Sequence, residues 1–281
     1  KNINYNLLVV KIVRFIKEDY AYFIMDNDIG IVIGTGIGGQ KSIVETLRDS
    51  GFQVSTTGKM WPRDHYVYFN GKYIKSDSPG SIDGNAFGEG GNILTGEGFL
   101  LVSDMAYLHQ HVSENLPDNP SYEQIRKAII AEGEKHNLRA RIHVAPTGYF
   151  HGRKGHSHID MFSLLLPKQK LLLLDTHYGK GAGSAKEYEA ITEEEGLRLI
   201  KYDGSQDGIW YPLNSLVLST DRGETVAVDG KAKSLVNLLE SEGIESICVD
   251  MPQHSYPAGK IRCQTNTYNL KDKPEDYMRN D

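Results

Sequence analysis

Apolar residues along this chain follow two periods, and the switches between them mark its units. Alternating or continuous apolar runs at 20–24 and 29–33, around Asn27-Asp28, predict two strands. The glycine-rich step Gly34-Thr35-Gly36-Ile37-Gly38-Gly39 follows. A 3.6-residue period over 40–49 then predicts a helix ended by Gly51, with a strand at 52–55.

The same order returns. Runs at 65–69 and 72–74 flank Asn70-Gly71, a two-residue hairpin signal, and runs at 92–95 and 99–103 flank Gly96-Glu97-Gly98. A helix at 121–136 and a strand at 140–144 close this second copy. The third copy holds strands at 161–166 and 170–175, a helix at 185–195 and a strand at 198–202. The fourth holds strands at 215–219 and 224–228, a helix at 231–241 and a strand at 245–249. The last stretch, 260–270, holds one or two strands, and 4–13 is a candidate for the missing piece.

Each copy is too small to bury its own apolar face. Four or five of them therefore predict an α/β chain whose units pack around a common axis, with helices outside and loops converging at one end. An ordinary α+β sheet is the plainer alternative. No linker or composition shift divides the chain, so residues 1–281 read as one domain.

The stretch 154–177, KGHSHIDMFSLLLPKQKLLLLDTH, joins chemistry to this core. Alternation places His156, His158 and Asp160 on one face of a strand, ahead of two apolar segments joined by a polar turn. Polar groups at the end of rigid core structure suit a preorganised site. The spacing also resembles part of the H-x-H-x-D-H run of metallo-β-lactamase-type hydrolases, although the sixth position is Met161. A zinc site on His156, His158 and Asp160 is thus one alternative. His109-x-His111 lies on a separate segment.

Residues 34–39 match the formal G-x-G-x-x-G dinucleotide fingerprint. However, 52–60 supplies no acidic residue for a ribose, so a tight turn and helix packing is the simpler reading. Cys248 has the apolar neighbours of a core thiol, whereas Cys263 follows a Pro/Gly loop among polar residues. Trp61-Pro62-Arg63-Asp64 and Phe87-Gly88-Glu89-Gly90-Gly91-Asn92 each lead into a strand. In the repeat Asp64, Glu89, His158, Asp160 and Cys263 all occupy the heads of units and would face one cavity.

Charge narrows the partner. The 281 residues carry a formal net charge of -6, and the basic residues form no run longer than two, which disfavours nucleic acid and mildly favours small cations. The longest early apolar run, 7–16, contains Lys11 and Arg14 and falls short of the roughly 18 residues that suggest a membrane span. Two cysteines make no disulfide framework, which points to the reducing cytoplasm, while a start at Lys1 leaves a cleaved leader open. Self-association is likewise left open. A guanidinium suits paired carboxylates, a thiolate over its plane can attack the central carbon, and a histidine can protonate the departing amine and then activate water.

Four motifs in order carry a resemblance: Trp61-Pro62-Arg63-Asp64, Glu89-Gly90-Gly91-Asn92, His158-Ile159-Asp160 before an apolar run, and Ile261-Arg262-Cys263-Gln264-Thr265-Asn266. Together they resemble the guanidine-modifying pentein superfamily of agmatine and peptidylarginine deiminases, arginine deiminases, dimethylarginine hydrolases and amidinotransferases. The resemblance implies a five-fold ββαβ propeller and a cysteine-dependent C–N hydrolase that needs no cofactor or metal. It implies Cys263 as nucleophile, His158 as general acid/base, Asp64 and Asp160 as grips on the guanidinium, and Glu89 as their support. Trp61, Arg63 and Asn92 would line the substrate, and Arg153 or Arg262 could pair a substrate carboxylate.

The chain departs from agmatine deiminases in two places. It has Ala258-Gly259-Lys260 and Arg262 where they carry three glycines and a histidine, and His65-Tyr66-Val67 where they carry Thr-Gly-Pro. An amidinotransferase sharing the first half-reaction therefore stands as the nearest alternative.

Overall fold

The computed structural model describes residues 29–35, 39–75, 87–108, 110–114, 116–147, 158–181, 185–220, 223–252 and 260–271. They form five small sheets that, among the described residues, are not hydrogen-bonded into one closed sheet.

Three sheets repeat one pattern, an antiparallel hairpin followed by a helix and a parallel strand. They are β5 (Ile93–Thr95), β6 (Phe99–Ser103) and β7 (Arg141–Ala145); β8 (Ser163–Leu166), β9 (Leu171–Asp175) and β10 (Arg198–Tyr202); and β11 (Leu216–Thr220), β12 (Gly223–Asp229) and β13 (Glu245–Val249). The crossover helices are α3 (Tyr122–Lys135), α4 (Ala185–Glu194) and α5 (Lys233–Ser241), and a one-turn helix α2 (Gln110–Ser113) packs against α3. Ser121 starts α3 with a capping box in which its hydroxyl accepts from Gln124 N and the Gln124 side chain accepts from Ser121 N. The middle strands β6 and β9 are buried along their whole length, as sandwiching between neighbours requires, and so read as continuous apolar runs.

The fourth three-stranded sheet draws on both ends of the chain. β14 (Thr265–Asn269), which follows the one-turn helix α6 (Ile261–Gln264), pairs antiparallel with β1 (Ile29–Gly34). β1 runs parallel to β2 (Gln53–Thr57) across α1 (Gln40–Asp49). The first and last units expected from the sequence are thus one unit; the expected strands at 20–24 and 4–13 lie outside the described residues. The second expected copy is two sheets, because the hairpin β3 (Tyr66–Phe69) and β4 (Lys72–Lys75) stands alone. Its turn is the one read from the sequence, with Asn70 at φ 47 and Gly71 at φ 77.

The sheets share cores in sequence. Val32 and Tyr268 meet Tyr66 and Tyr73; Phe69 and Ile74 meet Ile93, Val102 and α3; Leu101 meets Leu165 and Leu172; Leu164 and Leu173 meet Val226 and Val228; Leu218 and Ala227 meet Ile31 and Ile33. The last of these returns to the first sheet.

The glycine fingerprint also finds its explanation in packing. A Cβ on Gly34 would lie 2.4 Å from the Met60 carbonyl oxygen, and Gly39 takes φ 96 at the start of α1. Residues 36–38 lie outside the described residues. Among the described residues no helix is long and apolar enough to cross a membrane.

Candidate active site

Four short helical turns stand immediately ahead of one strand in each of four sheets: Pro62–Asp64, Gly90–Asn92, Ile159–Met161 and α6. They pack on one another, and two glycines make that possible. A Cβ on Gly90 would fall 2.0 Å from the Arg63 carbonyl oxygen, and one on Gly91 would fall 2.4 Å from His158 Nδ1. Only a bare backbone lets the second turn press against the first and against the imidazole. The Ile159–Met161 turn also explains why the strand expected from 161 begins at Ser163.

His158 is the hub of the turns. Its Nε2 lies 2.5 Å from Glu89 Oε2 and its Nδ1 4.0 Å from Asp64 Oδ1, and it interacts with the Cys263 thiol. Burial opposes its charge, but the thiol, Glu89 and Asp64 together hold its pKa well above the usual histidine value. Asp64 Oδ1 accepts from Gly91 N at 3.3 Å. Burial raises its carboxyl to about 6, with Glu89 and Asp160 adding to the rise and His158 opposing it.

That raised value carries a stability consequence. A carboxyl bound more tightly to its proton in the folded state than in the unfolded one loses stability as pH rises from about 4 through 6. Asp64→Asn should therefore be more stable than wild type at pH 7 by about 1–2 kcal/mol and level with it near pH 4. Urea denaturation across pH 4–8 measures the difference, and a gap independent of pH would refute the assignment.

Asp160 is fully buried. Arg262 Nε lies 3.5 Å from its Oδ2, yet among the described residues neither carboxylate oxygen accepts a hydrogen bond. Burial raises its pKa while Arg262, His158 and Arg63 oppose the rise. Arg63 is buried too and donates from Nη2 to the Ile93 carbonyl at 2.8 Å. The excess of carboxylates expected from the sequence is thus partly offset by two buried guanidinium groups.

Cys263 is buried, and burial together with Asp160 pushes its thiol up to about 11, opposed by His158. Its Sγ sits 3.2 Å from Asn214 Nδ2 and 3.8 Å from Met161 Sδ. Asn214 escaped the sequence reading. Its Nδ2 also donates to the Asp160 carbonyl at 3.0 Å, and its Oδ1 accepts from Lys260 N at 3.0 Å and Cys263 N at 3.3 Å. The position that could have revealed it is the head of the fourth predicted copy, two residues before β11, where the other copies carry Asp64, Asn92 and Asp160. Asn266 was likewise quoted only as motif; its Nδ2 donates to the carbonyls of Pro62 and Tyr66, fastening the last unit to the first turn.

The remaining expected residues are placed as follows. Trp61 is half-buried against the core that contains Cys263, Met161 and Tyr211. The Asn92 amide donates to the Phe87 carbonyl, and its Oδ1 has no hydrogen-bond partner among the described residues. His109, His156 and Arg153 lie outside the described residues, and His111 falls in α2. Asp64, Glu89 and His158 bring one ligand atom each within 4.8 Å of one another. That donor trio differs from the expected zinc set, as Asp160 is turned toward Arg262 instead.

The fold is that of the guanidine-modifying penteins. The chain is similar to DDAH, dimethylarginine dimethylaminohydrolase, of Pseudomonas aeruginosa solved with citrulline, at TM-score 0.54 and 11% identity over 85% of this chain and 98% of that one. An agmatine deiminase of Enterococcus faecalis gives 0.54 and 13% over 85% and 93%. A cyanobacterial arginine dihydrolase of the ornithine-ammonia cycle gives 0.56 and 11% over 89% of this chain and 42% of that one. At such identities the likeness is one of fold. No family model matches the sequence, and no curated protein matches it.

Proposed function

We propose that this chain is a single-domain, cysteine-dependent hydrolase of a small guanidinium compound, its five sheets arranged as the blades of a five-fold propeller with the reaction at one end of the axis. The observation that carries the reading is the convergence of the Cys263 thiol, the His158 imidazole held by Glu89, and the carboxylates of Asp64 and Asp160 from four separate sheet heads.

In this reading the guanidinium lies between Asp64 and Asp160, with Trp61, Arg63 and Asn92 shaping the surroundings. In the empty site the thiol is neutral and His158 is charged. An arriving cation offsets the two carboxylates that raise the thiol pKa and lets Cys263 release its proton to solvent. The thiolate attacks the central carbon, and His158 donates its proton to the departing ammonia or amine, leaving a thiouronium. His158, now neutral, takes a proton from water as that water attacks. Collapse of the adduct frees the thiol and a ureido product. Glu89 keeps the imidazole oriented and favours its charged form in both steps.

The test is release of ammonia and ureido product from arginine, agmatine, methylated arginines and an arginine-containing peptide, with and without chelator. Turnover of one member that chelator leaves unchanged is expected. Activity that chelator abolishes and that survives thiol alkylation would instead favour a metal centre at His158. Product formed only with an added amine would make the chain an amidinotransferase.

Substrate-assisted ionisation has its own readout. A non-reactive guanidinium analogue should accelerate alkylation of Cys263 at pH 7 by tenfold or more, provided the reagent still reaches the thiol, because a thiol near 11 is almost wholly protonated without it. An unchanged rate with a small reagent refutes that step.

A further inference from the structure

A cavity of about 310 Å³ lies behind the turns. It is lined by one strand of every sheet: Tyr68 of β3, Thr95 of β5, Leu165 of β8, Val217 of β11 and Tyr268 of β14. Thr95 is the last residue of β5, and Pro167, also on the wall, follows the end of β8. Asp64, Asp160 and Cys263 precede the starts of their strands, so this cavity opens at the opposite end from them.

The floor is cationic. Arg63 and Arg262, each 7% exposed, both line the cavity, and the Nε of each has no hydrogen-bond partner among the described residues. Burying a charged donor without a partner is costly, and native structures tolerate it only where something else completes the site. Two guanidinium groups side by side also repel each other, and burial with that repulsion lowers Arg262 to about 9. Asp160 favours the charge of both, at 3.5 Å from Arg262 Nε, and Asp64 favours that of Arg63, yet neither Nε is hydrogen-bonded among the described residues. The acid on the cavity wall, Glu224, has its oxygens engaged by Lys168 N, Gln169 N and the Ser219 hydroxyl.

We propose that this rear cavity is a binding site for a small oxyanion, of phosphate or carboxylate chemistry, held by the planar donor forks of Arg63 and Arg262. Such an ion would accept from the Nε donors that have no hydrogen bond among the described residues and occupy a space that the apolar wall residues Leu165 and Val217 cannot fill with hydrogen bonds. The site backs onto the proposed reaction centre, which shares Arg63 with it and meets it through the Arg262–Asp160 contact, and its occupant need not be a guanidine.

Thermal denaturation in inorganic phosphate against chloride of equal ionic strength tests it, with titration calorimetry on the same protein. A saturable rise in Tm is expected, about 5 °C at a hundredfold excess over Kd. Thr95→Glu sets a tethered carboxylate in the cavity and should fold, keep its Tm in chloride, and lose the phosphate response. Val217→Glu does the same from another wall should Thr95→Glu fail to fold. No saturable response in wild type would mean that the cavity holds only water. A response that survives the glutamate variants would place the ion elsewhere, His158 included. Either result overturns the proposal. No guanidine enters the assay, so its outcome is independent of the hydrolase reading.

Discussion

Cys263→Ser should abolish guanidine turnover, by about 10⁴-fold or more, while leaving the fold intact. The hydroxyl is the nearest isostere of the thiol and can accept from Asn214 Nδ2 as Sγ does at 3.2 Å. Stability should therefore change by about 1 kcal/mol or less. Activity has to fall because a hydroxyl stays protonated where even the thiol is pushed to about 11, and a cation that releases the thiol proton cannot release that of a serine. Ureido-product assays on the substrate panel and a thermal melt separate the two effects. Undiminished turnover in a folded variant would remove Cys263 from the mechanism, and with it the role assigned to His158.

Asn214→Ala should cost both stability and rate. The Asn214 side chain satisfies the buried N–H groups of Lys260 and Cys263, the Asp160 carbonyl, and the Cys263 sulfur. Truncation strands these groups and opens a hole among residues that are almost wholly buried. A loss of about 3–5 kcal/mol follows from the unpaired groups and the cavity together. The rate should fall about 100-fold even at temperatures where the variant is folded, because the thiol and the turn carrying Asp160 lose their common tether. Urea denaturation and kcat measured at low temperature check the two parts. A stability loss with an unchanged kcat would show that Asn214 is structural only.

The unit structure was legible in the sequence because each unit is local. Periods of two and 3.6 marked α1, α3, β6, β10 and β13 at or within a residue or two of their observed bounds, and Asn70-Gly71 announced its own turn. Local backbone preference and one-sided burial decide these features within a few residues. The grouping of the candidate site residues was legible for the same reason. Asp64, Glu89, His158, Asp160 and Cys263 stand at corresponding places in the repeat, so a shared direction followed from sequence position alone.

What the tertiary structure decided is everything that depends on residues far apart in the chain. Nothing local says that β14 pairs with β1, since antiparallel partners some 240 residues apart are chosen by which edges remain open once the other sheets have formed. Nor does sequence reveal that Arg63 would donate to Ile93 and line one cavity with Arg262, because an arginine's default place is the surface. Asn214 was silent for a related reason: asparagine is common in turns, and only the packing of α6 against Asp160 turns its amide into a tether. By itself, then, the sequence determined four unit heads and the residue types they bring. Folding decided which of those groups meet and which charges lie beside one another.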